Sequence, residues 1–497
     1  MRTRWSPWIA WGFSLVLVSV MLLRLVPVCR DQLAAPFDLI SEGPHMGTVK
    51  AIRSGYNIYT RESFLDLPFF MTPYTPLYHT LVAALPQDPT NPFFTGRVVA
   101  IVFMILAAST LLFVAQRGHR ATSVTAVAVF VLIHAVTGNT AYLRSDSMAL
   151  CWSLWGIVAA ASARRRSGVV AAGMLCALAI AAKQSFLAAG MACFVHFLIR
   201  DRRDLRAFVI AGSVVGVVLG LAAWAYWGND FWFAVTIPLT DYPRDIESFW
   251  VHWRMMLAQP LVIFILVTAV IATTVAFASA GWHVFATPYL PYVLVSWTLQ
   301  TSVMTGIGAE NHNLNEPMLA TLLWIVVALQ QHRPHLQLGW ARGAGLAALA
   351  CCTHLELRQS DPSLYSYTNP AKTERYVRDR AAAQGALRDL GIEHGRMLNL
   401  KNSQIPHDFA GDMVVNDVWM YVTVLWNTRP ETVDRLVHAI DSESFDAILV
   451  SPGVLSAEHD HGDAPWPRII HAVFAHYAVT YRGGEVNVLT RRTPRVS

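Results

Sequence analysis

The chain has 497 residues, of which 54% are hydrophobic and only 14% are charged. Soluble domains carry roughly 25% charged residues, so this composition excludes an ordinary soluble protein and indicates a polytopic membrane protein. The formal net charge of +5 comes from arginines in short connections between apolar segments and gives no reason to expect nucleic acid as a partner.

Long apolar segments recur along the whole sequence. A helix needs about 20 apolar residues to cross the hydrocarbon core of a bilayer. We predict a polytopic α-helical membrane protein whose first span, which lacks a small-residue cleavage motif at Cys29, remains as an anchor. The eleven predicted spans are residues 8–28, 93–115, 121–138, 147–163, 167–182, 184–199, 207–227, 257–280, 283–303, 314–330 and 339–354.

Arginines mark one side of this arrangement. Cytoplasmic connections carry an excess of Lys and Arg, and here the arginine-rich connections alternate with the others. The pattern predicts a multi-pass protein of a bacterial-type inner or plasma membrane, with its N-terminus in the cytoplasm. The arginines concerned are Arg2, Arg4, Arg117, Arg120, Arg164, Arg165, Arg166, Arg200, Arg202, Arg203, Arg206 and Arg333.

Residues 29–92 form a first outer loop that is too long for a simple turn. Glu42-Gly43-Pro44 is typical of a helix start and Gly55 of its end, with His45 on the polar side of the helix. A second helix is predicted from Pro76 to Ala84. Both are expected to be interfacial helices that lie in the plane of the membrane surface.

Asp38 and Glu42 stand four residues apart just beyond the first span. A carboxylate there can act as a general base on an acceptor hydroxyl, its pKa raised by partial burial and a like-charged neighbour. The pair can instead hold a divalent cation, Mg²⁺ or Mn²⁺, through oxygen ligands, or form a solvated loop with a helix-capping acid. The spacing alone does not distinguish these three interpretations. No cofactor is certain from the sequence.

Arg144 and Asp146 precede an apolar span on the outer side, and Lys183 interrupts two spans on that same side. Ionisable groups at membrane depth are costly and tend to be functional. Arg144 and Lys183 suit a phosphate leaving group, since a guanidinium offers a planar fork and an ammonium a compact charge. The alternatives are a local salt bridge between Arg144 and Asp146 and a lysine that snorkels to the interface.

Two further outer connections carry polar residues. Gly228 to Leu257, which contains Arg244, is expected to be a flexible loop that orders over substrate or an aromatic belt at the interface. In a polar turn before the tenth span, Glu310 and His312 are placed to orient sugar hydroxyls or phosphate oxygens. A single histidine argues against zinc, and an ordinary polar loop is the alternative.

The composition becomes soluble after the last span. We divide the chain into a membrane domain, residues 1–355, and an extracytoplasmic domain, residues 356–497. Helical and strand patterns alternate in the second, which predicts a small α/β domain. The predicted elements are helices at 372–390, 430–442 and 468–476 and strands at 396–400, 447–451, 478–481 and 486–490.

Several catalytic signatures are absent from the sequence. It has no Walker A loop, GxGxxG, HExxH or GxSxG, which argues against an ATP-driven pump or a Rossmann-type nucleotide-sugar enzyme. The six cysteines show no zinc or CxxC spacing, and no disulfide framework is expected.

The chain resembles the GT-C superfamily of polyprenyl-phosphate-sugar-dependent glycosyltransferases, which includes protein O-mannosyltransferases and RgtA/B/C/D-like proteins. The resemblance rests on Asp38 and Glu42, on Gly55-x-x-x-Tyr59 and on Tyr74-Thr75-Pro76-Leu77-Tyr78, together with the many spans and the outer C-terminal domain. It implies that Asp38 is the best candidate base, with Glu42 as competitor, although the family's adjacent acidic pair is replaced by acids four positions apart. Tyr74 and Arg244 join Arg144, Asp146, Lys183, Glu310 and His312 as candidate substrate-binding residues.

The implied activity is inverting transfer of a sugar from a polyprenyl-phosphate donor to a glycan, lipid or protein acceptor of the cell envelope. Membrane lipids are further expected partners. A lipid flippase or transporter is the alternative, although it would place polar groups near the bilayer midplane. An accessory assembly protein is a third class, and it would tolerate replacement of Asp38.

Overall fold

The computed structural model describes residues 19, 26–27, 29–36, 42–62, 70, 72–115, 129, 142–240, 244–306, 311–331, 370–392, 395–400, 413–414, 430–450, 466–484 and 486–492. Both helices expected in the first outer loop are present. They are α1, Gly43–Arg53, and α2, Leu77–Ala84. His45 was expected on the polar side of α1 but is buried, because it lies four residues before Val49 and so shares the face of the helix that packs inward, whereas Arg53 is exposed.

Helices also occupy eight of the predicted spans. Three of them are long and apolar enough to cross a membrane, at Phe94–Val114, Arg202–Trp227 and Pro260–Ala286, so the full count of eleven stays a prediction. The spans at 8–28, 121–138 and 339–354 lie almost entirely outside the described residues. The helices are α3 Phe94–Ala115, α4 Asp146–Ser162, α5 Arg166–Ala182, α6 Ala188–Arg200, α7 Arg202–Trp227, α10 Pro260–Ala280, α11 Tyr289–Val303 and α12 Asn315–Gln331.

The membrane helices pack as neighbours in a bundle. Helix α4 lies against α3 and α5, α5 against α7, and α12 against α10 and α11. One face of α7 leaves Ile210, Val214 and Val218 exposed, as expected of a face that meets lipid. Because consecutive spans run in opposite directions, the bundle gathers the polar ends of several helices at each of its two ends.

The described part of the connection from Gly228 to Leu257 is largely helical, which does not fit the flexible-loop reading, while the aromatic belt stays a prediction. It forms α8, Asp230–Thr240, and α9, Ile246–Leu257. The side chain of Asp245 accepts hydrogen bonds from the backbone N–H groups of Glu247 and Ser248, which caps α9.

A tight outer layer joins the first outer loop to α8. Ile58 and Tyr59 share a buried cluster with Trp227 and Phe231. The Tyr59 hydroxyl donates to the Tyr74 carbonyl at 2.5 Å. This layer therefore fixes the position of Tyr74.

The C-terminal residues form the expected α/β arrangement around a five-stranded mixed sheet of order β2-β1-β3-β5-β4. Strands β1, β2 and β3 are parallel, whereas β5 is antiparallel to β3 and β4. The seven predicted elements are confirmed within three residues, and β2 is additional. The elements are α13 Pro370–Asp389, β1 Met397–Asn399, β2 Met413–Val414, α14 Pro430–Asp441, β3 Ala447–Val450, α15 Trp466–His476, β4 Tyr477–Arg482 and β5 Asn487–Arg491.

Candidate functional site

Glu42 lies in a fully buried ion pair with Arg97 at the start of α3. Arg97 Nε donates to Glu42 Oε1 at 2.9 Å, Arg97 Nη2 donates to Oε2, and the Leu143 backbone N–H donates to Oε1 at 2.7 Å. Arg97 Nη1 also donates to the carbonyls of Gln32 and Ala35. The carboxylate thus ties the first outer loop to α3 and to the segment before α4.

Asp146 and Lys183 meet at the ends of two antiparallel helices. Asp146 is the first residue of α4, Lys183 directly follows α5, and Lys183 Nζ donates to Asp146 Oδ1 at 2.7 Å. Both residues and Arg144 are less than 9% exposed. Lys183 therefore points into a buried polar group and does not snorkel to the surface.

A cluster of three rings lies beside this ion pair. The ring of His45 is 5.0 Å from that of Tyr74 and 5.1 Å from that of His79, both nearly parallel to it. His45 Nδ1 and His79 Nε2 are 2.8 Å apart and share a hydrogen bond. On the other side of Tyr74, Lys183 Nζ lies 5.7 Å from the ring centroid, a cation–π contact.

Burial keeps both histidines neutral. It lowers the pKa of His79 to about 4. The pKa of His45 is well below its usual value, first because of burial and then because His79, Arg144 and Lys183 oppose a further positive charge, while Asp146 acts in the opposite sense. The histidine pair and the three charged residues therefore form one electrostatic unit.

Helix α12 brings a second carboxylate near this unit. Glu316 Oε1 accepts from the Tyr292 hydroxyl at 3.1 Å and Oε2 from Gln300 Nε2 at 3.2 Å. Lys183 and Asp146 lie within electrostatic range of it. Glu316 follows the polar turn that contains Glu310 and His312. The sequence analysis had not singled it out as a candidate for the site.

A small cavity lies between these groups. Its volume is about 10 Å³. This volume is enough for about one water molecule and too small for a sugar ring. It lies among Tyr142, Arg144, Asp146, Ser147, Leu150, Phe186 and Asn315.

The structure brings Tyr74, Arg144, Asp146 and Lys183 together, and their roles stay predictions. Arg244 is exposed, and its backbone pairs with Gly306 in an isolated antiparallel bridge. Asp38 and Glu310 lie outside the described residues, as does the side chain of His312, whose backbone belongs to the 3₁₀ helix Asn311–Leu314. The roles assigned to these residues stay predictions.

Sequence reasoning missed His45, His79 and Arg97. His45 and His79 are 34 residues apart, and Arg97 is 55 residues from Glu42, so no local pattern joins them. The one available signal was an arginine, Arg97, within the first turn of an otherwise apolar span, where a charge needs a partner. No group of three or more His, Cys, Asp or Glu that could hold a metal occurs among the described residues.

Solved structures share this fold over nearly the whole chain. A structure of ArnT from Cupriavidus metallidurans bound to undecaprenyl phosphate covers 96% of this chain and 98% of its own, with a TM-score of 0.56 and 11% identity. The apo structure of the same protein covers 97% and 98%, with a TM-score of 0.52 and 12% identity. No protein-family model and no curated protein sequence matches the chain. At 11–12% identity this likeness shows the fold alone.

Proposed function

We propose that this chain is an integral membrane glycosyltransferase that transfers a sugar from a polyprenyl-phosphate donor to a cell-envelope acceptor at the outer leaflet. The observation that carries this function is the buried group formed by Lys183, Asp146 and Arg144, where α4 and α5 meet. It supplies two cations at a membrane interface, in a fold shared with a protein solved with undecaprenyl phosphate.

Lys183 and Arg144 are assigned to the donor phosphate. Asp146 holds the Lys183 ammonium, and Tyr74 lies on its other side, so the cation is oriented before a ligand arrives. Such preorganised charge stabilises the negative charge that develops on a leaving phosphate. Because the cavity beside Arg144 has room for only about one water, the sugar must lie outside it or the neighbouring segments must separate.

The reaction proposed is a single inverting displacement. The acceptor hydroxyl oxygen attacks the anomeric carbon, the bond from that carbon to the phosphate oxygen breaks, and the polyprenyl phosphate leaves with the bonding electrons. Asp38 takes the hydroxyl proton. Glu42 is the weaker candidate base, since the Arg97 guanidinium and the Leu143 N–H already occupy its carboxylate. A Mg²⁺ or Mn²⁺ ion at Asp38 and Glu42 remains a prediction.

The test is transfer of radiolabelled sugar from a panel of polyprenyl-phosphate donors by the full chain in vesicles. We expect Asp38→Asn to abolish transfer without unfolding the protein and Arg144→Ala and Lys183→Ala to weaken donor use. Arg166→Ala removes an exposed arginine at the opposite end of the bundle and serves as the matched control for Arg144→Ala.

Normal turnover in Asp38→Asn would remove Asp38 as the base. Normal turnover in both Arg144→Ala and Lys183→Ala would remove the phosphate assignment. If the wild type transfers no sugar from any donor but moves a polar lipid between leaflets, the chain is a flippase.

A further inference from the structure

A second polar cavity lies at the opposite end of the bundle. It has a volume of about 320 Å³ and lies where α3, α4, α6 and α12 end and α11 begins. Helix α4, whose first residue is Asp146, reaches this cavity with Ser162, so the two sites are about 25 Å apart along the helix axis. The cavity walls are Phe113, Val114, Ala161, Ser162, His196, Arg200, Ala286, Thr287, Pro288, Tyr289, Val327, Gln330 and Gln331.

Polar groups in this cavity have few partners within the described part of the chain. His196 is 5% exposed; neither ring nitrogen has a partner at ordinary hydrogen-bond geometry, and the Ala286 backbone interacts with the ring as a longer hydrogen-bond acceptor. Gln330 Nε2 is likewise buried without a partner. A buried polar group left without a hydrogen bond is costly, so these groups point to a ligand that supplies one.

The cavity presents charge of both signs. Arg200 supplies a guanidinium, which donates to the Ala163 carbonyl at 2.7 Å and lies 3.8 Å from the Asp204 carboxylate, and the lining residues described include no carboxylate of their own. Four helices, however, end at the cavity, and the C-terminal end of a helix carries a partial negative charge that attracts cations. A bare phosphate matches Arg200 and His196 but is repelled by these helix ends, whereas a group that carries both a phosphate and an ammonium matches both features.

We propose that this cavity binds a phosphoethanolamine group, supplied by a phospholipid of the leaflet on that side of the membrane. The phosphate would accept hydrogen bonds from Arg200 and His196, and the ammonium would donate to carbonyl groups at the helix ends. The volume is at the lower end of the range for small-molecule sites, which suits a headgroup. Among the apolar wall residues, Phe113 is exposed and would contact the lipid chains.

Native mass spectrometry of the full chain in detergent tests this site independently of sugar transfer. We expect one phosphatidylethanolamine to be retained in preference to phosphatidylglycerol, which lacks the ammonium, and phosphatidylcholine, which has no N–H donor. His196→Leu and Arg200→Gln should each weaken retention by about tenfold, the loss expected for one hydrogen bond to a charged group. Arg203→Gln changes an exposed arginine that does not line the cavity and should leave retention unchanged.

A competition experiment with the wild type needs no variant and distinguishes the source of the group. Displacement of the lipid by soluble phosphoethanolamine, and not by phosphocholine or inorganic phosphate, supports headgroup recognition. Equal retention of all three lipids, equal displacement by inorganic phosphate, or full retention in both cavity variants would each overturn the proposal.

Discussion

At the scale of single residues, the pair formed by Glu42 and Arg97 is the strongest constraint on the first outer loop. Neither side chain is exposed to water. A buried ion pair stabilises little as a whole, because its attraction is offset by desolvation, but removal of one partner strands the other charge. Its function is therefore one of geometry, since it fixes the position of the chain between Gln32 and Ala35 relative to α3.

Glu42→Leu is expected to lower the free energy of unfolding by about 3–5 kcal/mol, since the Arg97 guanidinium then stays buried without its carboxylate. The double variant Glu42→Leu with Arg97→Met should recover most of that loss. Denaturation midpoints in detergent, followed by tryptophan fluorescence, measure both. If the double variant loses as much unfolding free energy as Glu42→Leu and Arg97→Met lose in sum, the two side chains are not coupled.

The histidine pair predicts a loss of stability in acid. The pKa of His79 is about 4 in the fold and about 6.5 in the unfolded chain, so the unfolded state binds more protons as the pH falls between these values. Stability is complete above about pH 6.5 and falls toward pH 4, by about 3 kcal/mol for His79 alone.

Thermal unfolding at pH 7.5 and 4.5 measures this effect. The variant with His45→Phe and His79→Leu should lose much of the difference between the two pH values, whereas His471→Gln, an exposed histidine of α15, should keep it. An unchanged pH dependence in the double variant would mean that the pair does not titrate on unfolding.

The sequence indicated some of these residues better than others. Arg144, Asp146 and Lys183 could be predicted because a charge at the end of an apolar span is visible without a structure. His45 was assigned to the polar side of α1 from its side chain, whereas its four-residue spacing from Val49 places it on the buried face. Its partners, His79 and Tyr74, are brought to it only by tertiary packing.

At the scale of elements, the close approach of α5 and α7 depends on two glycines. A Cβ atom on Gly173 of α5 would come within 2.4 Å of the Phe208 carbonyl oxygen and 3.1 Å of the Gly212 backbone nitrogen on α7. Small residues of this kind let two membrane helices approach closely.

Gly173→Ala should therefore separate α5 from α7 and cost about 1–3 kcal/mol, the usual range for overpacking. Gly216→Ala is the matched control, because a Cβ at this exposed position of α7 meets nothing within 4 Å. It should be neutral or slightly stabilising, since alanine favours a helix over glycine. Similar unfolding midpoints for the two variants would contradict the close approach.

Element boundaries were largely predictable from the sequence, for physical reasons that differ by region. Apolar runs and their charged ends located the membrane helices, and alternating patterns located α14, β3 and β5 in the C-terminal domain. No helix was predicted in the connection that contains α8 and α9, because Trp, Asp and Arg interrupt its periodicity. Its helices depend on the Asp245 cap and on packing against the first outer loop.

At the scale of the whole molecule, Phe233 of α8 connects the two parts of the chain. Its half-buried ring packs against the core of the C-terminal domain and lies 5.0 Å from the Arg61 guanidinium of the first outer loop. This contact joins the C-terminal core to the helix that follows α7.

Phe233→Ala should loosen this attachment, because it removes the ring of α8 that packs against that core. Limited trypsin digestion in detergent should release a C-terminal fragment several times faster than from the wild type. Trp232→Ala, which truncates a more exposed aromatic neighbour, should digest at the wild-type rate. Equal rates for Phe233→Ala and the wild type would show that other contacts hold the domain.

The contacts of Glu42 also set an order of events during synthesis. Its partners lie 55 and 101 residues further along the chain, at Arg97 and Leu143. At roughly 5–20 residues per second, the ribosome needs about 5 to 20 s to reach the second of them. Until then the carboxylate must remain hydrated, so the first loop completes its fold only after the segment before α4 has reached the same side of the membrane. A nascent chain arrested before Leu143 would display this unfinished loop to quality-control proteases.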